Sequence, residues 1–263
     1  MCGSATEWGL PVASCQISHP GHATCLIELD GRVLLTDPLL ADRIFSIRRI
    51  CPTVDPACLP NIDLVLISHL HHDHCHPESM RALNGNPTYL VPHGGGEFLA
   101  RHSIGPLVEA GPGDQLELLG LQITCLAVDH SGERVPFGPH APALAFEICG
   151  SRRIYFVGDT GYFEPMRSGP QPLDVALLPV AGWGSSLGPG HLDPQEAARA
   201  ANHLRPRWVI PIHWGAYRNV LPTITSAGQT PGPAQQFVDA LETLTADIEP
   251  VVLRPGTADR LAL

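Results

Sequence analysis

The stretch "LVLISHLHHDHCH", Leu64 to His76, places five histidines and an aspartate directly after an apolar run. Such a run reads as a strand buried on both faces. Ionisable groups gathered at its end carry a heavy desolvation cost unless something compensates them. His69, His71, Asp73 and His74 form the pattern H-x-H-x-D-H. Neutral imidazole is the commonest metal ligand, and carboxylate joins it in zinc sites. A chain leaving a sheet can curl around an ion, so His69 and His71 can share one metal while Asp73 and His74 face a second.

A two-metal site needs further donors, and three later segments offer them. His130 stands in "LAVDHSG", Asp159 in "IYFVGDTGY" and His213 in "VIPIHWG", each after an apolar, strand-like run. A solvated histidine-rich loop would need no such companions.

Composition excludes several alternatives. The chain has 263 residues and a net charge of −10, and all 16 basic residues are arginine. Without lysine there is no Schiff base and no phosphate-loop lysine. No basic stripe suggests nucleic acid as a partner. The start "MCGSATEWGLPVAS" is not a secretory signal, and no apolar run approaches the ~18–20 residues of a membrane span. The eight cysteines form no CxxC pair. They read as reduced, mostly core thiols, and the expected location is cytoplasmic.

The rest of the chain alternates strand and helix signals, read as one domain over 1–263. Asp30-Gly31 between "ATCLIEL" and "RVLLTD" predicts a hairpin, and a second turns near Gly150-Ser151. Strands are predicted over 62–68, 88–92, 174–180, 207–214 and 250–255, with several short ones in 107–129. Helices are predicted after Pro77, over "GEFLARH", over 193–204 with Asp193 as N-cap, and over 233–244. Periodicity alone reaches a mixed α/β protein with two sheets and outer helices.

The combined motifs "HPGHATCLIEL", "LLTDPLL", "LVLISHLHHDH", "FVGDTGY", "GHLDPQEA" and "PIHWGAY" resemble the metallo-β-lactamase superfamily over residues 16 to 218. The branch they resemble includes N-acylphosphatidylethanolamine-hydrolysing phospholipase D enzymes and ascorbate-phosphate lactonases. The resemblance implies a four-layer αββα sandwich and two divalent ions. His69, His71 and His130 would hold one ion, Asp73, His74 and His213 the other, and Asp159 would bridge them. Zinc suits these donors, with manganese or iron as alternatives. Relatives with redox di-iron sites carry glutamate in place of His71, which favours hydrolysis here. The implied activity is a hydroxide bridging the ions that cleaves a phosphodiester, lactone or ester in a small molecule. The alternatives are a phospholipid-directed phosphodiesterase and a metal-binding protein without catalysis. Homo-oligomers are an expectation by resemblance only. Membrane contact is not expected, because no long amphipathic N-terminal segment is found.

Asp73, His191 and Asp37 are the candidate catalytic residues. By resemblance Asp37 orients a metal-site histidine, and His191 contacts substrate or transfers a proton. His22 is a candidate neighbour of the site. His72 and His76 are expected on an exposed loop, and His93, His102, His140 and His203 as surface or satisfied histidines. Trp183, Trp214, Tyr162 and Tyr217 are candidate pocket walls or core residues. The segment "ADRIFSIRRI", 41–50, mixes apolar residues with three arginines. It reads as a surface loop with apolar residues inward, or as a lid, a membrane contact or an anion anchor.

Overall fold

The computed structural model describes residues 15–134, 138–166, 172–182, 187–220 and 232–263. Two seven-stranded sheets face each other. In spatial order the first comprises Arg260–Ala262, Cys15–Gly21, Thr24–Leu29, Arg32–Thr36, Ile62–Leu66, Gly85–Pro92 and Leu107–Ala110. The second comprises Glu249–Pro250, Trp208–Ile212, Val175–Pro179, Arg153–Phe156, Leu144–Cys149, Leu121–Ala127 and Gln115–Leu118. Helices Pro77–Arg81 and Gly96–Arg101 cover the outside of the first sheet; Pro194–Leu204 and Pro233–Leu244 cover the second. This is the αββα sandwich expected from the motifs.

The continuous apolar strands follow from this layering. Leu64 and Leu66 point into the core between the sheets, while Val65 and Ile67 pack under the outer helices. Ile154 and Phe156 likewise face the central core, and Tyr155 and Val157 the outer one. Both sides of each strand are dry, so neither can be polar.

The local signals hold. Asp30 and Gly31 both adopt positive φ, as a two-residue hairpin with a matched twist requires. Asp193 and Glu196 form a reciprocal capping box ahead of Pro194–Leu204. The strand expected over 250–255 differs. Only Glu249–Pro250 pairs, on the edge beside Trp208–Ile212. Pro250 has no N–H to donate, and the chain crosses to the first sheet, where Arg260–Ala262 pairs with Cys15–Gly21.

The segment 41–50 is not a plain loop. Arg43–Ile44 and Ile47–Arg49 pair with each other, and Tyr217–Asn219 joins them as a three-stranded ribbon. Ile44 and Ile47 pack inward with Leu39 and Tyr217. Among the described residues no helix is long and apolar enough to cross a membrane.

Phe156 is fully buried between the sheets. Phe156→Ala should lower unfolding stability by about 3–5 kcal/mol, read from urea titration with unchanged slope.

Candidate metal centre

The parallel neighbours Arg32–Thr36 and Ile62–Leu66 deliver Asp37 and His69 to one end of the first sheet. Leu121–Ala127, Arg153–Phe156 and Trp208–Ile212 run in a common direction in the second sheet and deliver His130, Asp159 and His213. The seven candidate ligands therefore meet where the two sheets open.

Two sets of donors form. His69, His71 and His130 offer ligand atoms that all lie within 4.8 Å of one another, as do His22, Asp73, His74 and His213. Asp159 lies between the sets, 3.2 Å from His74 Nε2 and 3.4 Å from His213 Nε2. His71 Nδ1 and His130 Nε2 are 3.2 Å apart, and so are the Nε2 atoms of His74 and His213. Nitrogens on a tetrahedral zinc with ~2.0–2.1 Å bonds would lie ~3.4 Å apart, so the spacing fits a cation. His69 Nε2 and Asp159 Oδ1 are buried without a hydrogen-bond partner. An ion between the sets would remove both desolvation penalties.

The ring orientations are fixed from outside. His74 Nδ1 donates to Asp37 Oδ2 at 2.8 Å, His130 Nδ1 to the Gly190 carbonyl at 2.8 Å and His213 Nδ1 to the Ala181 carbonyl at 2.6 Å. These acceptors cannot donate, so each ring keeps its Nε2 lone pair turned inward. The Ser68 hydroxyl donates to Asp37 Oδ2 and accepts from His69 Nδ1, which fixes His69 in the same way. Asp37 accepts as well from the Ser68 amide at 2.7 Å. His22 Nε2 donates to Asp73 Oδ2 at 2.9 Å, and the His22 ring lies 3.8 Å from that of His213.

Protonation states agree with ligation for every candidate donor but His74. Burial lowers the pKa of His69, His130 and His213, and brings His71 to about 4 and His22 to about 3. Burial would raise Asp159 and Asp73, but the surrounding histidines hold both well below the usual carboxylate range. Burial opposes charge on His74 too, yet Asp159, Asp73 and Asp37 push it well above the ordinary value. The neutral rings of His69, His71, His130 and His213 and the ionised carboxylates are the forms a cation requires, whereas His74 would release its proton on binding one.

His191 lies at the rim, with Nε2 3.4 Å from Asp159 Oδ2 and its ring 4.8 Å from that of His130. It is the most solvent-accessible of the candidate site side chains paired with Asp159. His72 and His76 are not the exposed loop residues expected. His76 caps helix Pro77–Arg81, its Nδ1 accepting from the Ser79 amide, and His72 is half-buried against Arg134 and Phe45. His93 and His140 are exposed and paired with Asp114 and Glu133, as surface histidines. His102 Nδ1 donates to the Phe98 carbonyl, and His203 meets the edge of Tyr162. Trp214 and Tyr162 pack toward the outer helices, and Tyr217 is buried beneath Arg49; Trp183 lies outside the described residues. Cys25, Cys75 and Cys125 are buried thiols with pKa pushed up to about 12.

Two supporting residues had no signal in the sequence. Arg134 donates through Nη1 to the Leu70 and Cys75 carbonyls and through Nη2 to His72 Nδ1, and stacks over Phe98. Ser68 has a signal only in retrospect, as the residue between the buried strand and the first histidine.

Comparison with known proteins agrees with this geometry. The profile of the β-lactamase superfamily domain matches residues 32–214. A UPF0173 metal-dependent hydrolase of Symbiobacterium thermophilum is 32% identical over 92% of this chain and 97% of its own length. The chain belongs to the metallo-β-lactamase superfamily. It is 31% identical to N-acyl-phosphatidylethanolamine-hydrolyzing phospholipase D 1 of Caenorhabditis elegans over 75% of this chain and 63% of that protein. It spans 59% of the length of a Mycobacterium bovis protein matched at 32% identity. The metallo hydrolase Igni18 of Ignicoccus hospitalis shares the fold at TM-score 0.70 and 22% identity, over 95% of this chain and 98% of that one.

The pKa shifts predict an acid-labile ion-free protein. A histidine whose folded pKa lies below its unfolded value of 6.5 adds stability at neutral pH that is lost as pH falls through the folded value. His71 and His22 act in this sense down to about pH 4 and 3. His74 and His191, with raised values, act oppositely: their contribution is full below 6.5 and lost as pH rises through the folded value. With chelator present, the denaturation midpoint should fall from pH 6.5 to 4, and His71→Asn should make that fall shallower. An unchanged slope would contradict the assignment of His71 as a buried neutral ring.

Proposed function

We propose that the chain is a dinuclear metal hydrolase, with zinc as its ions, that cleaves a phosphodiester, lactone or ester bond in a small molecule. The observation that carries this reading is the pair of inward-facing donor sets on either side of buried Asp159. His69, His71 and His130 would hold one ion, Asp73, His74 and His213 the other, and Asp159 both. Five imidazoles with two carboxylates suit zinc better than an all-oxygen metal. When bound, the ions would supply an acidified water and a positive field for developing negative charge.

The chain's own residues supply the rest. Asp37 holds His74 in one tautomer, and His22 fixes the Asp73 carboxylate. The dry walls around Asp159 keep these interactions strong. Burial lowers the pKa of His191, but Asp159 outweighs it, so His191 keeps a proton to higher pH than an ordinary histidine. From the rim it can hand that proton to a leaving oxygen. A phospholipid substrate is the second reading, favoured by the similarity to the worm phospholipase D.

The zinc-loaded protein should hydrolyse a chromogenic phosphodiester or a simple lactone, assayed side by side. His71→Ala and Asp159→Ala should each lose bound metal, by elemental analysis, and turnover to background. Full activity in either variant would overturn the ligand assignment. His191→Ala should keep its metal and lose about 10²–10⁴-fold in kcat; lost metal would instead make His191 a ligand.

A further inference from the structure

Three arginines stand in register on the outer face of the ribbon. Arg218 lies opposite Arg48, and Arg48 opposite Arg43. All three are exposed, while Ile44, Ile47, Arg49 and Tyr217 on the other face are buried. Like charges at directly opposed strand positions destabilise a sheet. Among the described residues, Arg48 and Arg218 have no ion-pair partner, and Arg43 donates only to the Phe45 carbonyl. A row of this kind costs stability in the isolated chain, so its use lies outside the chain.

The same face is rimmed with apolar side chains. Ile50 follows Arg48 by two residues and Val220 follows Arg218 by two, so both point outward with them. Each is 50% exposed, and Phe45 at the ribbon's turn is 69% exposed. These are three of the six large apolar side chains exposed among the described residues, gathered on one small ribbon. Guanidinium groups bind phosphate through paired hydrogen bonds, and exposed aromatic and aliphatic side chains enter the headgroup boundary of a bilayer.

We propose that this face docks the protein on an anionic phospholipid surface. The net charge of −10 does not prevent it, because charges farther than about 8 Å are screened at physiological salt while the arginines lie at the contact. The Phe45 ring stands edge-on to His72 at 4.8 Å, next to His71 and Asp73. Docking therefore brings the histidine loop close to the bilayer. The sequence offered no amphipathic helix, because this amphipathic surface is assembled across strands from two distant segments. The inference does not depend on which bond the centre cleaves.

The test is co-sedimentation of the full chain with vesicles of phosphatidylcholine alone and of phosphatidylcholine mixed with phosphatidylglycerol. Binding is expected to the mixed vesicles only, and it should weaken with salt. At roughly fivefold per arginine, R43Q/R48Q/R218Q should lower partitioning about 100-fold. R43K/R48K/R218K should retain most of it, which separates charge from folding. Phe45→Ser should weaken binding further in either background. No binding to mixed vesicles at low salt, or equal binding by the glutamine variant, would overturn the proposal. So would a glutamine variant that loses turnover of a soluble phosphodiester in a protein that never binds vesicles, because the arginines would then serve the substrate.

Discussion

The Asp37 carboxylate is wholly buried and accepts from the Ser68 amide, the Ser68 hydroxyl and His74 Nδ1. A buried charge is tolerable only when so fully engaged, and removing one partner would leave it uncompensated. The consequence is geometric. Asp37 ends one parallel strand and Ser68 follows its neighbour, so the pairing of Thr36 with Leu66 sets how the histidine loop leaves the sheet. From His74 the linkage continues to Asp159 and His213, which belong to the other sheet. One carboxylate thereby couples the register of the first sheet to the placement of groups from the second.

The two halves meet without slack. A Cβ on Gly158 would lie 2.7 Å from Ser68 Cβ, so glycine there lets the strand before Asp159 approach the loop before His69. Asp37, His22 and His213 all adopt positive φ. Such backbone is costly for residues with a side chain and persists only where the surroundings fix it. Here the fixing contacts are visible: the His213 amide donates to the His22 carbonyl, which also accepts from His19 Nε2.

Much of this was legible because metal ligation and strand burial leave different marks. The candidate ligands sit at strand ends, where an apolar run stops and His or Asp begins, so His69, His130, Asp159 and His213 could be read in order. Pairing partners could not, because hydrogen bonds between distant loops leave no periodicity. Arg134 is four residues after His130, yet nothing in "HSGER" says that it holds the carbonyls of Leu70 and Cys75. The ribbon escaped for a similar reason: Arg48 and Arg218 become neighbours only when Ile47–Arg49 and Tyr217–Asn219 pair. His76 was misplaced because histidine is not a usual cap, even though the helix after Pro77 was expected.

Arg134 has a wider implication. Its guanidinium grips two carbonyls of the histidine loop, and Asp37 grips the loop's start. Protein contacts thus brace the loop at its start and along its middle. Small zinc domains collapse when stripped, because their ion is their core. This chain has three separate apolar clusters between and outside its sheets, none of which needs an ion. The donor loop therefore rides on a core built apart from it, and a change of donors would leave the bulk of the fold in place.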